Sequence, residues 1–164
     1  MAERSGRRRI HVVGLGVGAD DLTAAQRGII ERAEVLVGGR RLLARFPESP
    51  AEKHAIGRDV DEVVAFIGCR LGRKRVVVLA SGDPLFFGIG SRLIEAFGRE
   101  RVAVHPNVSS VAAACARLGE PWGGLPVVSL HGRRGEDELL RTLSEVGRAA
   151  VLTDPDHGPA WIAE

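Results

Sequence analysis

The chain contains 164 residues, of which 45% are hydrophobic and 27% are charged, and its formal net charge at pH 7 is +2. These values are typical of a globular protein with one ordinary domain or two small lobes. No basic helix with interleaved aromatics is found, and no apolar run approaches the roughly 18 residues that cross a membrane, so neither a nucleic-acid nor a membrane partner is expected. Cys69 and Cys115 are isolated, which favours free thiols in a reducing cytoplasm.

Short β-branched runs alternate along the chain with longer segments of helical periodicity. Strands are predicted over residues 10–14, 34–38, 75–80, 102–104, 127–130 and 149–153. Helices are predicted over residues 23–33, 59–71, 88–97, 109–118 and 137–146, and another is predicted to begin at residue 159. This order predicts an α/β fold with a mostly parallel, helix-covered sheet.

The sequence predicts two lobes of unequal size. Residues 1–9 end in three consecutive arginines and are expected to form a disordered basic tail. Residues 10–120 form the predicted N-terminal α/β lobe, which ends in a segment rich in Gly, Pro and Trp. Residues 121–164 are predicted to begin a smaller C-terminal α/β lobe that is truncated, because two strands and about one helix are too few to close a core.

The first predicted strand runs into a loop rich in glycine, called the glycine loop (residues 14–20). Gly14, Gly16 and Gly18 occupy alternate positions, and residues without a Cβ atom allow the backbone to approach a ligand closely. A plain tight turn is the alternative interpretation of the same residues.

With Ala19, these glycines also satisfy the GxGxxG/A pattern of dinucleotide sites. An NAD(P)-dependent oxidoreductase is therefore an alternative function, with Glu34 at roughly the distance of the ribose-binding acid. In such sites the helix opens directly from the glycines. Here Thr23 and Gln26 predict a capping box that places the helix start beyond Gly18.

Two further loops follow predicted strands: the GDP loop (residues 81–88, SGDPLFFG) and the serine loop (residues 106–110, PNVSS). The Gly82 backbone and the Asp83 carboxylate are candidates for contacting a polar small molecule, although Asp83 can equally cap a turn. Ser109 and Ser110 can cap the following helix or hold the polar end of a ligand.

Together, in this order, the three loops resemble the motifs of the tetrapyrrole (corrin/porphyrin) methylase family. The family motif VGxGPGD is similar to the glycine loop, with Val17 in place of proline and an extra residue before Asp20. The family's GDP motif with following aromatics matches the GDP loop. The motif P-G-[IV]-[ST]-[SA] matches the serine loop, with Asn107 in place of glycine.

Within the family, several segments are similar to the branch that methylates carbon 5 at the precorrin-7 or precorrin-6Y stage. These segments are residues 37–43, 118–122, 129–133 and 152–155. The resemblance implies the two-lobed tetrapyrrole methylase fold, a homodimer in the cytoplasm, and S-adenosyl-methionine as the methyl donor in a cleft between the lobes. It implies an S-adenosyl-methionine-dependent C-methyltransferase that acts on a tetrapyrrole (precorrin) in cobalamin biosynthesis.

Motif matching with the family implies a set of binding residues. The cofactor would be lined by Ser81, Gly82, Asp83, Phe86, Ser109, Ser110, His131 and Gly132. The glycine loop, through Gly14, Gly16 and Gly18, would face the tetrapyrrole. Its carboxylates call for guanidinium partners, for which the candidates are Arg40, Arg41 and Arg133.

The expected chemistry needs no nucleophile from the protein. A sulfonium methyl donor is already activated, and a reduced corrin precursor is electron-rich at its meso carbons, so the protein mainly supplies proximity and orientation. Asp20 and His131 are the candidate residues for accepting the proton that leaves. The histidines and cysteines have no metal-ligand spacing, so no protein-held metal is expected. A ligand-binding fragment without turnover is the remaining alternative.

Overall fold

A computed structural model describes residues 8–18, 20–57, 59–130, 135–154 and 156–163 of the chain. The chain divides into two compact units, Met1–Ser110 (unit 1) and Val111–Glu164 (unit 2). The lobe boundaries predicted from sequence stay predictions, since compactness alone does not show where independently folding domains end. Most of the predicted basic tail lies outside the described residues.

Unit 1 is built on a five-stranded sheet with the strand order β3-β2-β4-β1-β5. Its strands are β1 (Ile10–Gly14), β2 (Val35–Gly38), β3 (Glu52–Ala55), β4 (Val76–Ala80) and β5 (Val102–His105). Every pair of neighbouring strands runs parallel, with Gly14 beside Ala80 and Val13 beside His105. The predicted α/β fold with a mostly parallel sheet is therefore confirmed.

Four helices connect these strands within unit 1. They are α1 (Ala24–Glu31), α2 (Arg40–Leu43), α3 (Val60–Gly68) and α4 (Ile89–Phe97). Thr23 caps α1, and the predicted capping box with Gln26 is present, because each residue's side chain accepts a hydrogen bond from the other's backbone N–H. Asp59 caps α3 by accepting from the N–H groups of Asp61 and Glu62.

The sheet of unit 1 is buried on both faces, which explains the continuous apolar runs of β1, β2 and β4. One face packs against α3 and α4 through buried residues that include Val12, Val78 and Leu93. The other face packs against α1 through residues that include Leu79 and Ile30. A sheet held from both sides gives the loops at its edges a rigid base.

The sequence interpretation missed two short elements of unit 1, α2 and β3. Strand β3 has the polar sequence EKHA and lies at the edge of the sheet, so it shows no apolar run to detect. Glu52 in β3 binds Arg70 and Lys74. Hydrogen bonds from these two residues lower the pKa of Glu52 to about 2.

The described residues of unit 2 form a two-stranded parallel sheet and three helices. The strands are β6 (Val127–Ser129) and β7 (Ala150–Leu152), and the helices are α5 (Ser110–Leu118, whose first residue closes unit 1), α6 (Glu136–Val146) and α7 (Pro159–Ala163). Its core is a small cluster of Val128, Leu130 and Leu139. No helix in the described ranges has the length and hydropathy to cross a membrane.

Candidate functional site

Three neighbouring strands of unit 1 bring the glycine, GDP and serine loops to one edge of the sheet. Because β4, β1 and β5 are adjacent and parallel, the loops that follow them emerge side by side at their carboxyl ends. The end of β2, which carries α2, lies next to β4 on the same edge. Ligands of open α/β sheets bind at this kind of edge.

Glycines allow the glycine loop and the GDP loop to pack directly on one another. The N–H of Gly82 donates to the carbonyl of Gly16 at 3.1 Å, and the N–H of Leu15 donates to the carbonyl of Ala80 at 2.9 Å. A Cβ atom on Gly14 would collide with the carbonyl oxygen of Gly82. Gly16 and Gly82 have φ values of +65° and +56°, a region that favours glycine.

Asp21, directly after the glycine loop, fills the interior of that loop. Its Oδ2 atom accepts hydrogen bonds from the N–H groups of Val17 and Gly18, each at 2.7 Å. The Asp21 side chain also occupies the space beside Gly16. Adjacent backbone N–H groups of this kind can hold a phosphate, but here they already bind a carboxylate of the chain.

The position of Glu34 also argues against the alternative function as an NAD(P)-dependent oxidoreductase. Glu34 precedes β2 and therefore lies at the amino edge of the sheet, opposite the glycine loop. Its carboxylate accepts from the backbone N–H of Arg75 and from the Arg8 guanidinium. The hydrogen bond from the Arg75 backbone lowers the pKa of Glu34. Glu34 therefore stabilises the amino edge of the sheet, and it lies too far from the glycine loop to contact a nucleotide bound there.

Asn107 connects the serine loop to the glycine loop. Its Nδ2 group donates to the carbonyl oxygens of Gly14 and Asp21, both at 3.0 Å. Its Oδ1 atom accepts from the N–H of Val108 at 2.8 Å. Gln26 of α1 adds a second anchor by donating to the carbonyl of Pro106 at 2.9 Å. The sequence interpretation did not identify these contacts, because they join residues far apart in the chain.

Comparison with known proteins decides the family. Residues 9–164 match the family described as Tetrapyrrole (Corrin/Porphyrin) Methylases. The chain belongs to the tetrapyrrole methylases. A cobalt-precorrin-7 C(5)-methyltransferase of Salmonella typhimurium is 40% identical over 153 residues, which cover 93% of this chain and 74% of that protein. A decarboxylating precorrin-6Y C(5,15)-methyltransferase of Mycobacterium tuberculosis is 35% identical over 156 residues, covering 93% of this chain and 38% of that protein.

Solved structures confirm the predicted tetrapyrrole methylase fold. A precorrin-6Y methylase from Archaeoglobus fulgidus superposes with a TM-score of 0.63 at 29% identity, covering 79% of this chain and 68% of that one. A uroporphyrin-III C-methyl transferase from Thermus thermophilus complexed with S-adenyl homocysteine gives a TM-score of 0.60 at 29% identity, covering 74% of this chain and 58% of that one. S-adenosyl-methionine is the methyl donor of this family.

In this tetrapyrrole methylase the predicted cofactor residues of the GDP loop have different environments. Ser81 is exposed, Gly82 is buried, and Asp83 and Phe86 are half-buried. The Asp83 Oδ1 atom accepts from the N–H of Leu85 at 2.8 Å, so this carboxylate does cap the turn, as the alternative interpretation expected.

The serine loop packs against the GDP loop. A Cβ atom on Gly82 would lie 3.3 Å from the Cα atom of Ser109, so the two loops are in close contact. Ser109 is buried, whereas Ser110 is exposed at the start of α5. His131 and Gly132, the other predicted cofactor residues, lie outside the described residues.

Those predicted substrate residues that the structure describes lie along the same edge of the sheet. Asp20 is exposed within the glycine loop. Arg40 and Arg41 are exposed on α2, after β2. Arg45, which the sequence interpretation missed, donates to the carbonyl of Gly18 at 3.1 Å. Arg133 lies outside the described residues.

Two histidines meet just below the serine loop. His11 of β1 and His105 of β5 stack, and their Nδ1 and Nε2 atoms lie 3.0 Å apart. Burial is the main cause that lowers the pKa of both rings, and the neighbouring His105 lowers that of His11 further. In the described part of the chain no three His, Cys, Asp or Glu side chains group as they would around a metal ion.

The chemistry of these loops fits S-adenosyl-methionine. The ligand carries ribose hydroxyls, an ammonium and a carboxylate, together with an apolar adenine face. Among the predicted cofactor residues, Asp83 has a carboxylate that can accept, Ser81 and Ser110 have hydroxyls that can donate, and Phe86 has an aromatic face. Glycine at residues 14, 16 and 82 packs the loops tightly enough to bring these groups to one edge.

Proposed function

We propose that this chain is an S-adenosyl-methionine-dependent C-methyltransferase that acts on carbon 5 of a corrin-ring precursor, precorrin-7 or precorrin-6Y, in cobalamin biosynthesis. The observation that carries the proposal is the 40% identity, over 93% of this chain, to a protein named cobalt-precorrin-7 C(5)-methyltransferase. The three loops gathered at the carboxyl edge of the parallel sheet support it.

S-adenosyl-methionine, when bound, supplies a methyl group on a sulfonium sulphur. In the proposed site, the Asp83 carboxylate accepts from ribose hydroxyls or the ammonium, and Phe86 packs against the adenine. Ser81 and Ser110 donate hydroxyl hydrogens to the ligand. Gly82 and Ser109 contribute backbone at the point where the GDP and serine loops touch.

On the substrate side, the partly exposed Gly18 faces the macrocycle, and Arg40 and Arg41 pair with its carboxylates. Gly14 and Gly16, which were predicted to face it as well, are buried against the GDP loop and Asp21 and instead shape the glycine loop. The meso carbon donates the electron pair of the new C–C bond, and the electrons of the broken C–S bond remain on sulphur. The protein therefore contributes orientation and water exclusion. Asp20 orients the substrate or accepts the proton that the substrate loses. His131 is the other candidate for accepting that proton.

A homodimer in the cytoplasm is part of this proposal. Helix α6 exposes Leu140, Leu143 and Val146, with Leu140 65% exposed, and these positions repeat at three-residue intervals. Such an apolar stripe is typical of a surface that another chain covers. Cys69 and Cys115 are free thiols, as expected in a reducing compartment. A monomer by sedimentation equilibrium at micromolar concentration would remove the dimer from the proposal.

Calorimetric titration with S-adenosyl-homocysteine tests the cofactor assignment, with NADH as the parallel ligand. Asp83→Asn keeps an oxygen that can accept from Leu85 while removing the charge, and Asp83→Ala removes both. We expect wild type to bind S-adenosyl-homocysteine and both variants to bind it at least about tenfold more weakly. Loss in Asp83→Ala alone would assign Asp83 to the turn. NADH binding in its place would reject the methyltransferase.

Transfer of a labelled methyl group to a reduced corrin precursor tests the reaction. Asp20→Asn is expected to lower turnover while leaving S-adenosyl-homocysteine affinity unchanged, because Asp20 acts on the substrate side in this proposal. A wild-type chain that binds S-adenosyl-homocysteine but transfers no methyl group to any corrin precursor would favour the ligand-binding fragment over the enzyme.

A further inference from the structure

The side chain of Asn107 binds the glycine loop at both of its ends. The two carbonyls that accept from the Nδ2 group of Asn107 belong to Gly14, the first residue of the loop, and Asp21, the residue that follows it. The Asn107 Cβ atom would lie 3.1 Å from a Cβ atom on Gly14, so the side chain also packs against the loop.

The orientation of the Asn107 amide is fixed by its three contacts. A flipped amide would place Oδ1 against two carbonyl oxygens and Nδ2 against the N–H of Val108. In the observed orientation, both N–H hydrogens and the oxygen are used. Only a carboxamide of this length offers two donors and one acceptor here, and the glycine of the family motif offers none.

Asp21 holds the middle of the loop that Asn107 holds at its ends. Its Oδ2 atom binds the N–H groups of Val17 and Gly18, while its own carbonyl binds Asn107. The two residues therefore form one connected unit, called the Asn107–Asp21 clamp. The clamp joins the serine loop to the glycine loop along the whole length of the latter.

We propose that the Asn107–Asp21 clamp consists of positioning residues that set the distance between the methyl donor and the carbon that accepts the methyl group. This inference rests on the proposed function, in which the serine loop holds the donor and the glycine loop faces the macrocycle. In-line methyl transfer is sensitive to alignment, since a displacement of about 1 Å can cost about 100-fold in rate. In this proposal the clamp acts through the loops that it joins and not through contact with the reacting atoms.

Variants of the clamp should lower kcat while leaving the affinity for S-adenosyl-homocysteine almost unchanged. Asn107→Gly restores the family's residue and removes all three hydrogen bonds, and Asn107→Asp keeps the size but replaces both donors with an acceptor. We expect kcat to fall at least about tenfold in both, with the Kd for S-adenosyl-homocysteine changing less than about threefold. Ile67→Val, on the face of α3 that is buried against the sheet, is the control that lowers stability without lowering kcat.

Two variants of Asp21 test whether this residue positions the glycine loop or takes part in the reaction through its charge. Asp21→Asn retains an oxygen that can accept from Val17 and Gly18, whereas Asp21→Ala retains none. We expect Asp21→Asn to keep kcat within about threefold of wild type and Asp21→Ala to lose at least about tenfold. Equal loss in the two variants would show that the charge itself is needed, and would overturn the positioning role.

Amide hydrogen exchange provides a readout that does not depend on turnover. The N–H groups of Val17 and Gly18 should exchange slowly in wild type and faster in Asn107→Gly. Unchanged exchange together with unchanged kcat would overturn the clamp. A wild-type chain that neither binds S-adenosyl-homocysteine nor transfers a methyl group would instead overturn the proposed function and the alignment role with it, while exchange would still report whether the clamp exists.

Discussion

Unit 1 and unit 2 differ in how completely their sheets are covered. Unit 1 has five parallel strands with an extensive buried cluster on each face. Unit 2 has two strands and a cluster of three buried residues, and it exposes several large apolar side chains. These are Leu118, Trp122, Leu140, Leu143, Val146 and Trp161. The described loops of the candidate site are therefore carried by the better-packed unit, where a rigid sheet can fix them.

The largest expected effect contrasts the two cores. Leu93→Ala removes a fully buried side chain of unit 1, and Leu139→Ala removes one from the small cluster of unit 2. We expect losses of about 4 kcal/mol and about 2 kcal/mol in the free energy of unfolding, because a small cluster can collapse around the gap. Urea denaturation measures both. Equal losses would mean that the two cores are packed equally well.

The second contrast concerns glycines. Gly14→Ala should cost about 1–3 kcal/mol, because its new methyl group forces the GDP loop away. It should also weaken S-adenosyl-homocysteine binding in calorimetry. Gly123→Ala in unit 2 meets nothing within 4 Å and should change stability by less than about 1 kcal/mol. Tolerance at Gly14 would contradict the tight packing of the loops.

The third contrast is a pH dependence carried by unit 1. Burial lowers the pKa of His11 and His105 from the ordinary value of 6.5, and the charges of Arg9 and Arg32 lower that of His11 further. The unfolded chain therefore binds more protons near that pH, so this stability is present above it and is lost as the pH falls. Urea midpoints at two pH values, one on each side of 6.5, measure the loss. We expect a smaller loss in His105→Gln, and an equal loss would assign the effect elsewhere.

The smallest expected effects come from exposed ion pairs. Arg92 of unit 1 binds Asp61 at 2.7 Å and Glu95 at 2.8 Å, and Arg148 of unit 2 lies 3.6 Å from Glu120. Arg92→Gln should lower the urea midpoint only slightly, and Arg148→Gln should lower it less still, because solvent screens exposed ion pairs. Denaturation in about 1 M salt should remove the difference between each variant and wild type. A loss that persists in salt would indicate packing by the Arg92 stem.

Local patterns predicted most of the fold. The apolar runs of β1 and β4 and the capping box of Thr23 and Gln26 depend on residues close together in sequence, and the structure places them as expected. Strand β3 was missed because its pairing with β2 and the ion pairs of Glu52 define it, whereas its own sequence, EKHA, contains no apolar run. Helix α2 has only four residues, too few for a periodic pattern.

The candidate site was predictable as a set of loops but not as a set of contacts. Glycine spacing and the GDP sequence located the loops correctly at the carboxyl edge of the sheet. Asn107 stood out only as a departure from the family motif, and its partners are about ninety residues away. Asp21 was passed over for its neighbour Asp20, because sequence cannot show which of two adjacent carboxylates folds back on the loop.

The carboxylate of Asp21 occupies the N–H groups of Val17 and Gly18, so these amides do not bind the carboxylates of a ligand. The exposed guanidinium groups of Arg40 and Arg41 follow β2 on the same edge of the sheet. A tetrapyrrole whose acidic arms pair with them is restricted in how it can rotate about its own axis. A choice among chemically similar meso carbons can thus begin as a choice of rotational setting.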